Sequence, residues 1–226
     1  MRALTRAVIL AAGRGMRMMP LTDVIPKPMA PYRGSTLIAE RISSLKDHMD
    51  EVFITVGYKG AMLASHVIEH DVSAVINTEG KGNAWWLYNS LLSLVDGPLL
   101  VLTCDNIVDL DFDLLEGDYY RLGEPPCMVV PVRPVPGLDG DYIFHENNCV
   151  QELTRERTAD IYCSGMQVLN PRRIGELTRP TEDFGSVWGQ LMENRYLWCS
   201  TVYPERWTAV DTLEQLSAAG AMAPFP

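Results

Sequence analysis

The sequence predicts an α/β protein, a Rossmann-like, doubly wound mixed sheet with a small antiparallel extension, and three observations carry that reading. Residues 7–12 (AVILAA) form a continuous apolar run that ends in a glycine-rich turn, the pattern of a strand buried on both faces of a parallel sheet. Similar runs return at 52–57 (VFITVG), 74–77 (AVIN) and 99–106 (LLVLTCDN), with helix-like stretches between them. After about residue 125 the spacing becomes β-rich. Successive β-loop-α steps favour right-handed crossovers, and ligands of such sheets bind at the carboxyl ends of the strands.

A loop of about twenty residues follows the first strand. Thr36 is placed to cap a helix through roughly Lys46, because Leu37, Ile38, Ile42 and Leu45 fall on one helical face. Further helices are expected over 61–70 and 84–95, the latter packing through Trp85, Leu87, Tyr88, Leu91 and Leu92. No element is assigned between 107 and 125. Strands follow at 128–133, 142–145, 149–153 and 161–169, the second and third joined by a turn at Glu146, Asn147 and Asn148. A helix near 183–195, a strand near 197–203 and a helix from Thr212 complete the reading. Without a Ser/Gly linker, a low-complexity tract or a fixed-period repeat, residues 1–226 read as a single domain.

The 226 residues, 47% of them hydrophobic, suffice for one generous core. The apolar run near the amino terminus is too short for the central region of a signal peptide. Cys104, Cys127, Cys149, Cys163 and Cys199 are odd in number, contain no Cys-x-x-Cys pair and sit mostly in apolar stretches, which points to reduced thiols and a cytoplasmic setting. A net charge of −10 argues against nucleic acid or an anionic membrane as partner. Residues 1–60 nevertheless carry nine Lys/Arg against five Asp/Glu, a local +4 that leaves −14 for the rest. The oligomeric state stays open, a homodimer being one option.

The positive charge surrounds the segment from Ala11 to Thr22, through Ala12, Gly13, Arg14, Gly15, Arg17 and Pro20, and then Pro26-Lys27-Pro28. Glycines at 13 and 15 let the backbone approach a phosphate and turn its N–H groups into an anion-binding concavity. The dinucleotide fingerprint is excluded because position 18 is methionine, and no Gly-x-x-x-x-Gly-Lys-Ser/Thr occurs. Taken alone, a Gly-x-Gly is more often an ordinary tight turn.

As a whole the string resembles the signature of the nucleotidyltransferase superfamily that makes nucleoside-diphosphate sugars and CDP-alcohols: Leu-Ala-Ala-Gly-x-Gly-x-Arg, then Pro-Leu-Thr, then Pro-Lys-Pro. The resemblance extends more weakly to Gly82-Asn83-Ala84, to Asp105-Asn106, to Ser164-Gly165-Met166 and to the closing segment from Trp207 to Leu216. It implies a glycosyltransferase-A-like nucleotidyltransferase fold. Two departures stand out. Ala209 replaces a frequently acidic residue, leaving Asp211 as the candidate second metal ligand, and no Glu-Lys-Pro segment is present, so Arg155, or failing it Arg157, is the nearest substitute for its lysine. The chain runs ten residues beyond Leu216, and no appended left-handed β-helix is expected.

What the resemblance implies is an attack by an acceptor phosphate on the α-phosphorus of a nucleoside triphosphate, with pyrophosphate leaving. The nucleophile is already anionic, so positioning and charge stabilisation replace a general base. Arg17 and Lys27 are then the catalytic candidates, acting on the leaving pyrophosphate and the α-phosphate. Ala11, Ala12, Gly13, Arg14, Gly15, Glu79, Gly82 and Asn83 are expected at the nucleotide, and Trp85, Asn106, Arg155 and Gly165 at the acceptor. Asp105 and Asp211 are expected to hold Mg²⁺. Trp85 and Trp86 are adjacent, so on a helix at most one faces a ligand. A sugar 1-phosphate is the first acceptor expected; a CTP-dependent enzyme acting on phosphocholine, another phosphorylated alcohol or a phosphonate is the second; a non-catalytic nucleotide-binding domain is the third.

Overall fold

The computed structural model describes residues 4–138 and 140–221. In chain order its first half contains β1 (Arg6–Leu10), α1 (Leu21–Val24), β2 (Pro31–Tyr32), β3 (Ser35–Thr36), α2 (Leu37–Lys46), β4 (Glu51–Val56), α3 (Gly60–Ile68), β5 (Ala74–Asn77), α4 (Trp86–Asn89), β6 (Leu99–Thr103) and β7 (Asn106–Asp109). Then come α5 (Phe112–Arg121), β8 (Cys127–Val132), β9 (Tyr142–Glu146), β10 (Cys149–Thr154), β11 (Tyr162–Leu169), α6 (Pro171–Leu177), α7 (Phe184–Glu193), β12 (Leu197–Cys199), β13 (Arg206–Ala209) and α8 (Leu213–Ala221).

A nine-stranded sheet runs in the order β5-β4-β1-β6-β11-β8-β12-β10-β9. Its first four strands are parallel, with Leu10 opposite Thr55 of β4 on one side and Thr103 of β6 on the other. β1 alternates Ala7 and Ile9 into one core cluster and Val8 into the other, all fully buried, which is why its sequence is apolar throughout. The chain leaves β1 towards β4 and β5, then returns to the opposite side of β1 as β6. That reversal opens a crevice at the carboxyl end of β1, where open α/β sheets place their ligands.

β11 runs antiparallel to both β6 and β8 and joins the parallel half to the antiparallel extension. The expected hairpin appears as β9 and β10, with Asn147 and Asn148 both at positive φ. Thr36 caps α2 by accepting a hydrogen bond from Ala39 N at 3.2 Å. The expected helix over 84–95 is instead broken at Ser90, whose backbone is extended and whose hydroxyl donates to Trp86 O at 2.7 Å. The strand expected near 197–203 is shorter, β12 alone.

Elements that were not anticipated include α5, α6, the β7–β13 ribbon and the short α1, β2 and β3 within the long loop after β1. Asp111 caps α5, and Asn170 caps α6 ahead of Pro171 at its first turn, a local start signal that sequence reading passed over. Within α5, Asp118 is only 5% exposed, yet its carboxylate accepts from Ser200 Oγ at 2.7 Å, Thr201 N at 2.8 Å and Arg121 Nε at 2.9 Å. Burial alone would raise its pKa, but these bonds outweigh burial and hold it below 3.8.

Asp118→Ala should therefore lower unfolding free energy by about 3 kcal/mol in urea at neutral pH, since Ser200 and Thr201 lose a charged acceptor. The folded pKa is depressed, so this stabilisation exists above about pH 4 and fades as pH falls through the folded value. A wild-type advantage that persists undiminished well below pH 3 would contradict the account.

Candidate active site

Two adjoining cavities occupy the crevice, and Leu10 and Gly13 line both. The first, about 350 Å³, lies on the β6 side and is lined by Gly15, Arg17, Lys27, Thr103, Cys104, Asp105 and Asp211 among others. The second, about 230 Å³, lies on the β4 and β5 side against Ala12, Thr55, Tyr58, Glu79, Lys81, Gly82 and Asn83. A larger open groove of about 1200 Å³ runs past Arg133, Asp160, Tyr203, Glu205, Arg206 and Trp207, away from the glycine loop. Convergent chemistry, rather than size, marks the candidate site.

Its centre is the Lys27 ammonium, 2.5 Å from Asp105 Oδ2 and 2.8 Å from Asp211 Oδ1. Arg17 reaches the same Asp211 oxygen at 2.9 Å, with most of its side chain exposed. Burial pulls the Lys27 pKa down, but the charge and hydrogen bond of Asp105 and the hydrogen bond of Asp211 more than offset it, leaving it above the ordinary 10.5. Because the folded value is the higher one, the pairing stabilises fully below about pH 10.5 and is lost as pH rises through the folded value.

Local chemistry explains how each group arrives there. Gly15 adopts φ 66°, and a Cβ on it would stand 2.7 Å from Lys27 Cβ. Glycine here makes room for the lysine stem. Thr22 Oγ1 donates to Gly15 O at 3.1 Å and Tyr58 Oη to Thr22 O at 3.0 Å, fastening the loop. Lys27 sits in a single 3₁₀ turn between two prolines. Asp105 follows β6, and the short β7–β13 ribbon brings the distant carboxyl-terminal segment alongside, with Val210 N donating to Asp105 O at 2.9 Å. A capping box at Thr212 and Gln215 then fixes the backbone around Asp211.

Gly13 differs from Gly15: its φ is not positive, and an added Cβ would meet nothing within 4 Å among the described residues. It faces both cavities, so its lack of a side chain serves whatever lies there. Ala11 is buried, its N–H donating to Thr55 Oγ1 at 3.1 Å. Arg14 is exposed, with its guanidinium 5.3 Å from the Tyr58 ring centre. Gly82 accommodates the Glu182 carbonyl, which a Cβ would overlap, and Asn83 Oδ1 accepts from Phe184 N at 3.0 Å.

Of the acceptor candidates, Asn106 and Gly165 come together: Asn106 Nδ2 donates to Ser164 O at 2.7 Å, and Trp207 Nε1 reaches the same oxygen at 3.2 Å. Trp85 and Arg155 line neither cavity around Gly13. Trp85 is half-buried under Lys81, whose nitrogen is 5.8 Å from the ring centre, whereas Trp86 is fully buried. Arg155 is held by Asp141, with Nε at 2.7 Å. Sequence reading missed Thr55, Gly57, Tyr58 and Thr78, although a glycine at the end of the second strand, beside the crevice, was an available signal.

Two carboxylate oxygens within 2.8 Å of one cationic nitrogen form a hard donor pair suited to a divalent ion. Among the described residues no group of three or more His, Cys, Asp or Glu could hold a metal alone. Further ligands would have to come from phosphate or water.

Glycines and paired carboxylates at the switch point of the parallel half of the sheet form the kind of crevice in which open α/β sheets place their ligands. The profile of the nucleotidyl transferase family matches residues 6–118, and the chain belongs to that family. The mannose-1-phosphate guanylyltransferase catalytic subunit beta of Drosophila pseudoobscura pseudoobscura is 26% identical over 207 residues, 86% of this chain and 56% of that protein. The bifunctional protein GlmU of Methanococcus aeolicus is 32% identical over 115 residues, 50% of this chain and 27% of its own length. The chain thus spans about half the length of the curated guanylyltransferase relatives it matches. In fold it resembles the inositol-1-phosphate CTP transferase of T. maritima (TM-score 0.74, 15% identity, 99% of both chains). It likewise resembles a putative glucose-1-phosphate thymidylyltransferase from Bacillus anthracis (TM-score 0.78, 17% identity, 98% and 97% covered).

The two glycines should respond oppositely to alanine. Gly15→Ala should cost about 1–3 kcal/mol through its positive φ and the crowding of Lys27. Gly13→Ala should leave stability within about 0.5 kcal/mol of wild type. Equal losses in thermal melts would refute the distinction.

Proposed function

We propose that the chain transfers a nucleoside monophosphate from a nucleoside triphosphate to a sugar 1-phosphate, releasing pyrophosphate, with Mg²⁺ as the divalent cation. The observation that carries this reading is the Lys27 ammonium held between Asp105 and Asp211, directly beside the Gly13–Gly15 loop. In the reading, N–H groups of residues 11–15 cradle the triphosphate, Lys27 stabilises charge at the α-phosphate, and Arg17 attends the leaving pyrophosphate. Asp105 and Asp211 hold the cation, which supplies charge neutralisation at the phosphates. Glu79, Gly82 and Asn83 flank the base side. The family membership and the guanylyltransferase relatives support the sugar 1-phosphate as acceptor.

The acceptor enters, in this reading, from the large groove, since its Trp207 wall shares Ser164 O with Asn106 beside Gly165. Arg155, tied to Asp141, stands apart from that contact and is the less favoured acceptor group. CTP-dependent transfer to a phosphorylated alcohol is the second reading, supported by the full-length fold match to a CTP transferase. A cation–π cage for the quaternary ammonium of choline, built from Trp85 and Trp86, finds little support. Trp86 is buried, and Lys81 already covers Trp85.

Pyrophosphate release measured with four nucleoside triphosphates against hexose 1-phosphates and phosphocholine tests the proposal. Turnover with a hexose 1-phosphate is expected; CTP with phosphocholine as the productive pair would move the assignment to the second reading, and no release with any pair would remove catalysis. Lys27→Met should lower kcat by about 10²–10³, and Asp105→Asn should abolish turnover while the chain still unfolds cooperatively, at a lowered Tm because buried Lys27 loses a counter-charge. Since Lys27 keeps its proton past 10.5, no alkaline loss of rate below about pH 10 should be traceable to it.

A further inference from the structure

Behind Asp105, on the side away from the glycine loop, a third cavity of about 70 Å³ is lined by Tyr32, Arg33, Glu40, Arg41, Cys104 and Asn106, among others. Arg41 belongs to the buried face of α2, three residues from Ile38 and four from Leu45, and is only 6% exposed. Its Nε and the Tyr32 hydroxyl are shielded from solvent, and neither has a hydrogen-bond partner among the described residues. Arg41 forms no ion pair with any described carboxylate. Asp105 helps to hold its charge from a distance, but a buried guanidinium whose Nε lacks a hydrogen-bond partner remains strongly unfavourable.

We infer that this cavity is a binding site for a small oxyanion of the phosphate or carboxylate class, held by Arg41 and Tyr32 and separate from the Lys27 cleft. Both orphan groups are donors, so an acceptor-only ligand with several lone pairs satisfies them together. Water could meet the hydrogen bonds but not the charge. Arg33 and Arg41 against Glu40 give the lining a net +1 by count. Burial, the largest influence, pulls the Arg41 pKa down to about 10, so it remains cationic at neutral pH. The volume suits one oxyanion and is far below that of a nucleotide pocket, which runs to about 300 Å³ or more. Exposed Ser44 stands at the rim and offers access.

The site also adjoins the reaction centre. Cys104 lines both this cavity and the Lys27 cleft, forming the wall between them next to Asp105. An anion on Arg41 offsets a positive charge behind Asp105 and so strengthens the pull of that carboxylate on a cation in front. Occupancy is thereby coupled to the cleft without sharing its ligands.

The test is thermal unfolding in inorganic phosphate against chloride at matched ionic strength, with acetate as the carboxylate arm. Phosphate can also bind the cleft, so Arg17→Ala and Lys27→Met, singly and together, are measured beside Arg41→Met. A phosphate- or acetate-specific rise in Tm that survives the cleft substitutions and disappears in Arg41→Met is expected; which anion acts identifies the source. Tyr32→Phe should weaken the apparent affinity several-fold, and Arg41→Lys, which folds more safely because it keeps the charge, by about tenfold. An unchanged response in Arg41→Lys and Tyr32→Phe, loss of the response in the cleft variants, or no anion-specific rise at all would overturn the proposal.

Discussion

The site depends on a single buried cation. Lys27 Nζ ties Asp105 and Asp211, which lie 78 and 184 residues further along the chain. Lys27 places a positive charge between two neighbouring carboxylates, and, being nearly buried itself, it needs both to offset its own desolvation. No one of the three could occupy this position comfortably without the others. The interaction therefore constrains three remote segments at once: the loop after β1, the exit of β6, and the turn into α8.

What holds those segments is apolar. Met18, Ala30, Tyr32, Leu37, Ile107, Val210 and Ala219 form a small core of their own beneath the site. The charged residues are next neighbours of members of this cluster: Arg17 precedes Met18 and Asp211 follows Val210. With Met18 and Val210 fully buried, the adjoining side chains are directed towards the crevice. Hydrophobic packing thus supplies the positional accuracy that the polar contacts use, since exposed ion pairs alone are too weak to order a loop.

The parallel half was readable because a strand buried on both faces leaves a continuous apolar run, and the glycine loop because positive φ and close backbone approach restrict residue choice locally. Lys27, Asp105 and Asp211 were legible only through their resemblance to the family signature; nothing in the residues around Asp211 announces a meeting with Lys27. The β7–β13 ribbon escaped notice because each strand is four residues long and gains its partner only from tertiary structure. Thr55 and Tyr58 were missed for a similar reason, as threonine in a strand and tyrosine in a turn look ordinary until the crevice forms around them. Arg41 was hidden by its spacing, which belongs to an apolar helix face that sequence reading filled with Ile38, Ile42 and Leu45.

The charges of the cleft also explain why a cation belongs to the proposed chemistry. Arg17 and Lys27 balance Asp105 and Asp211, so the four groups sum to zero. A triphosphate approaching that set meets as much repulsion as attraction, and its affinity would rest on the N–H groups of the glycine loop. A divalent ion held by Asp105 and Asp211 would bring the four groups and the ion to a sum of +2 and would take over neutralisation of the two carboxylates from Lys27. The ammonium would then be free to face phosphate oxygens within the same cleft. The pairing of Lys27 holds the two carboxylates together at the crevice, and the role proposed for its ammonium at phosphate depends on that placement.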